Sequence, residues 1–456
     1  MVRLFHVYYP VRSLVLLLGE AVVVCASFLV ATLLRFGPDA PLVLNYEGGL
    51  LKIVTVTGCA LLCSHYFDLY DPQRLTSSGE TVFRILFVMG SLAFLLAAIG
   101  YLFPHFLLGN GVFVMGLLIL SVGLVSWRMM FSWLAEQYFR ERVYVMGTRE
   151  RARAVVETLR SRPGIGMDVI GWAGAVGNGS LTREALGEKL RSLMQQQKVD
   201  RVIVAMSDRR GAMPVGELLD LRLSGVKVED GTSLLEQISG KIEVSELHPS
   251  WLIFSDGFRI SAPMLVLKRL VSVMVSLACL LVFLPLIPLI ALAIKLSSPG
   301  SVLYRQERVG LNGGIFTCYK FRTMCEDAEA AGPQWAGNDD PRITWVGRML
   351  RRTRLDEVPQ MWNVLRGDMS FVGPRPERPE FVEWLSREVP YYQLRHMIRP
   401  GLTGWAQINY HYGASLEEAK EKLRYDLYYI KNLSLMLDLL IVFQTVKTFL
   451  LRRGSR

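Results

Sequence analysis

Four apolar runs fill the first third of the chain: Ser13–Leu34, Leu50–Phe67, Ile85–Phe103 and Leu107–Val125. Each approaches the roughly 20 helical residues that cross a bilayer, so the pattern predicts a four-helix transmembrane domain over residues 1–135. Arg3 and Arg12 precede the first run, and Arg128, Arg140 and Arg142 follow the fourth. Cationic flanks stay on the cytoplasmic side, which places both ends of this domain there. The first run is too long for a cleaved signal peptide and has no small-residue cleavage site after it. Glu20 lies inside it, and its simplest reading is a hydrogen bond between packed helices.

From Arg142 the pattern changes. Short β-rich segments at 142–146, 168–172, 201–205 and 226–228 alternate with helix-length stretches such as 149–160 and 213–224. Strands separated by helices predict a parallel, Rossmann-like α/β domain over 136–245. The turn after its first strand, Gly147-Thr148-Arg149-Glu150, lacks the GxGxxG fingerprint of dinucleotide binders, so a structural or regulatory spacer is preferred to a cofactor site. A linker over 246–265 follows, with Trp251, Phe254 and Phe258 available to pack on a neighbouring domain or on lipid headgroups.

A fifth apolar run, Leu270–Ile294, has Lys268-Arg269 before it and Lys295 after it. Twenty-five helical residues reach about 37 Å, enough to span. Pro285 and Pro288 sit inside the run, however, and two prolines three apart bend or break a helix. With cations at both ends, the pattern predicts a re-entrant helix-break-helix. The last run, Leu433–Leu451, carries Asp438, Thr445 and Thr448 at helical spacing and predicts an amphipathic interfacial helix.

Composition narrows the class. The chain has 456 residues, with 51 Lys+Arg against 41 Asp+Glu, a net charge of +10 and a mean hydropathy of +0.29. A basic chain of positive hydropathy suits membrane segments with cationic flanks, and no aromatic-interleaved basic tract points to nucleic acid. The six cysteines form no CxxC pair, which supports neither a zinc site nor a disulfide scaffold. No two histidines have metal-ligand spacing, and His396 and His411 read as core or surface residues.

The chemistry concentrates after residue 300. Asp356 and Glu357 stand side by side, and between Pro341 and Leu355 there are five arginines and no acid. A carboxylate already ionised at neutral pH, set in a positive field, suits attack on an anionic substrate. Gly310, Gly313 and Gly314 allow a tight turn before a strand ending in Lys320-Phe321-Arg322-Thr323, where Lys320 and Arg322 share one face of an extended chain and are phosphate candidates. Arg354 is another. Arg375, fixed between Pro374 and Pro376, has little freedom to lose and suits holding a nucleotide or phosphate.

Four stretches occur in one order: LKRLVSVMVSL at 267–277, QERVGLNGGIFTCYKFRTM at 306–324, LDEVPQMWNVLRGDMSFVGPRPE at 355–377 and RPGLTGWAQIN at 399–409. Together they closely resemble the bacterial sugar transferases, the polyprenyl-phosphate glycosylphosphotransferases of exopolysaccharide biosynthesis. The resemblance covers residues 266–456 and implies a catalytic domain with a re-entrant membrane helix, on the cytoplasmic face of the bacterial inner membrane. It implies that Asp356 attacks the β-phosphorus of a UDP-sugar and that polyprenyl phosphate then takes the sugar-phosphate. It implies Mg2+, for which Glu357 is the natural ligand, and Arg322, Arg354 and Arg375 as phosphate contacts. Asp368 reads equally as support for the site or as structure. The chain departs from the family pattern at Leu284, where a Ser usually precedes the breaking proline, and at Ser272, where an Asp is usual. The membrane helices also offer a surface for a homodimer. Two rival readings are a membrane-tethered nucleotide-sugar-modifying enzyme, which needs an intact glycine fingerprint and a Tyr-x-x-x-Lys pair in the α/β domain, and an inert membrane scaffold.

Overall fold

The computed structural model describes residues 2–4, 7–70, 78–106, 109–147, 149–173, 183–195, 199–206, 213–244, 247, 252, 255, 257–326, 328, 340–410 and 415–450. Thr148, Trp251, Phe254 and His411 lie outside them. The chain forms two compact units that divide after Leu235. Among the described residues, five helical stretches are long and apolar enough to cross a membrane: four in the first unit, and Ala262–Ser297 in the second.

In the first unit the long helices are α1 (Val11–Phe36), α2 (Gly49–Tyr66), α3 (Ser78–Leu102) and α4 (Asn110–Tyr138). Val24, Phe28, Ile53, Val88, Leu92 and Leu120 form their common core. Gly116 lets α4 approach α1 closely, because a Cβ there would lie 2.6 Å from the Phe28 ring. The α4 helix runs well beyond Val125, where the apolar pattern stops. The reason is polar: Arg128 turns inward, pairs with Glu20 of α1 and donates to the Leu69 carbonyl at 2.8 Å. Tyr70 completes the set with a 2.5 Å hydrogen bond to Glu20, so Glu20 staples helices together. Arg12 donates to the Ala135 and Phe139 carbonyls at 2.6 and 2.7 Å, which brings the start of α1 to the end of α4.

The α/β part of the first unit is a four-stranded parallel sheet built from β1 (Glu141–Gly147), β2 (Met167–Ala173), β3 (Arg201–Ala205) and β4 (Lys227–Asp230), in the order β2-β1-β3-β4. The buried runs Val143–Met146 and Val202–Ala205 are nearly continuously apolar, as strands covered on both faces require. Gly147 ends β1 where a Cβ would sit 1.9 Å from the Ala205 carbonyl oxygen, so only glycine fits.

The second unit opens at Glu236, ahead of the 246–265 linker read from the sequence. Residues 236–244 pack against helix α5 (Leu416–Lys431). The contacts are Glu236 with Lys431 at 2.7 Å, Lys241 with Glu421 at 2.6 Å and the Ile242 amide with the Arg424 carbonyl at 3.0 Å. The Trp405 indole donates to the Gly240 carbonyl at 2.7 Å, and Ile242 and Val244 enter a core with Leu385, Leu427 and Tyr428.

The apolar run forms α6 (Ala262–Phe283), a single turn of tighter helix at Leu284–Leu286 carrying Pro285, and α7 (Ile287–Ser297), which has Pro288 in its first turn. Proline there removes no intrahelical bond, because the first turn has no partners for its N–H groups. Both halves pack on the same unit. At the start, Lys268 is buried, 2.6 Å from Asp438 and 2.5 Å from the Tyr429 hydroxyl, which itself donates to Asp438 at 2.5 Å. Arg269 donates to the Leu365 carbonyl at 2.8 Å, and Ser272 accepts the Phe371 N–H at 3.2 Å. Ser272 thus has a structural contact at the position of the family's usual Asp. At the end, Ile290 and Ile294 enter a core with Phe321, Val346, Leu350 and Val358.

Helix α8 (Leu435–Leu450) presents Leu437, Asp438 and Ile441 inward, and the Thr445 and Thr403 hydroxyls meet at 2.7 Å. Met436, Leu439 and Val446 face outward. Asp438 and Thr445, which the helical pattern placed on an interfacial polar face, therefore serve the interior.

Candidate active site

An antiparallel hairpin, β5 (Leu303–Val309) and β6 (Ile315–Phe321), forms one wall of the site. Its turn needs Asn312 and Gly313 at φ 53° and 80°, the left-handed region that glycine and asparagine tolerate best. Lys320 lies near the end of β6. Opposite it, helix α9 (Trp345–Arg352) stops when Arg354 takes φ 48°. That left-handed residue turns the chain into the tight helical turn Leu355–Glu357 and then into α10 (Gln360–Arg366). The strained arginine sits two residues before the first of the two carboxylates, and such strain gathers at functional sites.

Both carboxylates are buried, each 8% exposed, yet they differ. Glu357 Oε1 accepts from Arg375 at 2.7 Å and from Lys320 at 3.1 Å, and Oε2 stands 3.9 Å from the Arg354 guanidinium. Burial works to raise its pKa, but Arg375, Lys320 and Arg354 outweigh it and hold the group well below the usual carboxylate range. Asp356 moves the other way. Burial, then the adjacent Glu357 charge, push it up to about 6, against the pull of Lys320, Arg351 and Arg375. Neighbouring carboxylates with pKa values driven apart suit different tasks. Glu357 is a fixed anion that gathers cations, while Asp356 is a desolvated carboxylate, ionised at neutral pH, with no side-chain hydrogen bond or ion pair among the described residues.

Four residues expected at the site from sequence, Lys320, Arg354, Arg375 and Glu357, converge beside Asp356. Pro374 and Pro376 are buried on either side of Arg375. Arg322 goes elsewhere. The strand ends at Phe321, so the alternation that paired Arg322 with Lys320 stops one residue too early. Its guanidinium donates to the Pro299 and Ser298 carbonyls at 2.6 and 2.8 Å, capping the end of α7. Asp368 accepts from Asn363 at 3.2 Å. Asn363 is fully buried and also bonds the Tyr319 N–H and the Thr317 carbonyl at 3.1 and 2.7 Å. Asp368 therefore supports the strand that carries Lys320. Asn363, Arg308 and Arg395 escaped the sequence reading, because each acts on residues distant in the chain. Their one signal was occurrence inside or beside the four stretches.

Among the described residues no three His, Cys, Asp or Glu side chains group to hold a metal. A cation here would rely on Glu357 and on substrate oxygens. That fits Mg2+, which takes one or two carboxylates and fills its shell with phosphate and water.

Residues 264–452 match the family model described as bacterial sugar transferase. A UDP-N-acetylgalactosamine-undecaprenyl-phosphate N-acetylgalactosaminephosphotransferase of Aeromonas hydrophila is 41% identical, over 51% of this chain and 55% of its own length. UDP-glucose:undecaprenyl-phosphate glucose-1-phosphate transferases of Escherichia coli K12 and Xanthomonas campestris pv. campestris are also similar. The first is 35% identical over 72% of each chain; the second is 30% identical over 97% of this chain and 94% of its own. The Xanthomonas match spans the apolar helices and the α/β sheet as well as the site. With that coverage, and with the paired carboxylates in their cationic setting, the chain belongs to the bacterial sugar transferase family.

Proposed function

We propose that this chain transfers a sugar-1-phosphate from a UDP-sugar to undecaprenyl phosphate, as a membrane step in exopolysaccharide or related glycan assembly, through a covalent intermediate on Asp356. The observation that carries the reading is the split behaviour of the two adjacent carboxylates. Asp356, desolvated and without a tight partner, attacks the β-phosphorus. The bond from that phosphorus to the UMP oxygen breaks, UMP leaves, and the sugar-phosphate remains on Asp356 as an acyl phosphate. A phosphate oxygen of the lipid then attacks the same phosphorus and returns the Asp356 carboxylate. Lys320 and Arg375, held by Glu357, stand where the diphosphate charge must be met, and Arg354 adds a third cation. When bound, Mg2+ would neutralise phosphate charge beside Glu357.

The membrane reading of Ala262–Ser297 belongs to the same proposal. Lys268 and Ile294 both pack on the catalytic unit, and the Pro285 break lies between them. A run whose two ends return to one domain dips into a leaflet and leaves the site at the headgroup plane, on the cytoplasmic face where UDP-sugars are made. The test is direct. Purified protein given UDP-glucose or UDP-N-acetylgalactosamine should carry a phosphosugar on Asp356, seen by mass spectrometry, and release UMP. Near wild-type rates in Asp356→Asn would refute the assignment.

A further inference from the structure

Arg375 is only as well placed as the turn that carries it, and that turn has no ladder of its own. Gly373–Glu377 lies outside any helix or strand, and two of its five residues are prolines without an N–H. Its carbonyls are met from outside. Pro374 accepts from the Gly401 amide at 2.8 Å and Glu377 from the Val309 amide at 2.9 Å. The two between them take side chains: Arg375 O accepts from Arg395 Nη2 at 2.9 Å, and Pro376 O from Arg308 Nη1 at 3.0 Å.

We propose that Arg395 and Arg308 are positioning residues, bracing this turn so that the Arg375 guanidinium meets Glu357 and the donor diphosphate. Arg395 is built for the task. Its side chain is 6% exposed and lies 2.9 Å from Asp426. It donates to the Tyr392 hydroxyl at 2.5 Å and sits over that ring at 5.1 Å. Arg308 leans on Gln306 and stands 3.7 Å from Glu377. The planar fork of arginine serves two or three acceptors at once, which lysine's single head group does not. The contacts that fix each arginine and the one it makes to the turn thus form one chain, ending at the carbonyls beside Arg375. A misplacement of about 1 Å at such a group costs on the order of 100-fold in rate.

The inference rests on the phosphotransfer reading for its kinetic readout, and a mutant cycle separates the two. In the full-length protein, Arg308→Gln removes one brace. Arg395→Gln combined with Asp426→Asn removes the other without leaving a buried charge alone. Each should lower kcat/KM for the UDP-sugar by about 10- to 100-fold while the unfolding midpoint stays near wild type. In an Arg375→Ala background each should cost less than about twofold more, because the braces act through Arg375. Arg395→Lys keeps a charge opposite Asp426 but not the fork, so it too should keep the unfolding midpoint near wild type and leave kcat/KM low. Losses that multiply in the Arg375→Ala background, or full activity in Arg395→Lys or in Arg308→Gln, would overturn the proposal. Wild-type turnover in the same assay tests the reaction itself; without it, UDP affinity measured by calorimetry replaces kcat/KM in the same cycle.

Discussion

The seat of helix α6 offers the sharpest energetic test. Lys268 and Asp438 have side chains 3% and 6% exposed and lie 2.6 Å apart, with the Tyr429 hydroxyl bonded to both. Exposed ion pairs contribute about 0–1 kcal/mol, whereas breaking a buried pair from one side costs about 3–5 kcal/mol, because the remaining charge is stranded. Lys268→Met should therefore destabilise the protein by about 3–5 kcal/mol, a 100- to 1,000-fold or greater loss in the folded ratio at about 1.4 kcal/mol per tenfold. Replacing both partners, Lys268→Met with Asp438→Leu, exchanges the pair for apolar volume and should return stability to within about 1 kcal/mol of wild type. Equilibrium unfolding in mixed micelles measures both. A single-variant cost under about 1 kcal/mol, or a double variant as unstable as the single, would refute the picture of a desolvated anchor.

Further outcomes follow from the site and its surroundings. In the proposed reaction Asp356 acts as the carboxylate, and its pKa is raised to about 6, so kcat/KM should fall as pH drops below about 6; Glu357→Gln removes part of what raises that pKa and should move the limb to lower pH as it cripples turnover. A fragment beginning at Glu236 should fold and retain some transferase activity, whereas one beginning at Val266 loses the Lys241, Ile242 and Trp405 contacts and should unfold at lower temperature. Arg322→Ala strips the donors from the Ser298 and Pro299 carbonyls and should lower stability by about 1–3 kcal/mol with little change in donor KM; a large rise in KM would place Arg322 back at the phosphates. In a cysteine-free background, cysteines at Lys268 and Ser298 should resist an impermeant thiol reagent in intact cells and react once the inner membrane is opened, and labelling of the Ser298 position in intact cells would end the re-entrant reading.

Local pattern reached some of this architecture and not the rest, for physical reasons. Asp356, Glu357 and Arg354 are neighbours in sequence, and Arg375 is pinned by prolines, so local chemistry was enough to find them. The tighter turn at Pro285 was legible because proline acts on its own turn, although the stretch Ala262–Ser297 stays helical throughout. Arg322 was misplaced because alternation holds only while a strand lasts, and β6 ends at Phe321. The inward side of α8 was hidden because helical spacing shows that Asp438 and Thr445 share a face, but not whether water or Lys268 and Thr403 await them. Arg308 and Arg395 bond carbonyls 68 and 20 residues away, and a carbonyl carries no mark of residue type. The extent of α4 past Val125 depended on Glu20, a partner more than a hundred residues earlier.

The capping role of Arg322 has a mechanical consequence. Lys320 bonds Glu357 while Arg322, two residues on, grips the carbonyls that follow α7. One short length of backbone thus connects the end of the apolar run to a cation held by Glu357. If the run dips into one leaflet as proposed, it must tilt or shift with hydrocarbon thickness to keep its apolar length covered. Such movement pulls on Ser298 and, through Arg322, on the strand holding Lys320. Turnover in this arrangement becomes a readout of bilayer thickness, and reconstitution in lipids of graded chain length would show it as an optimum that Arg322→Ala flattens.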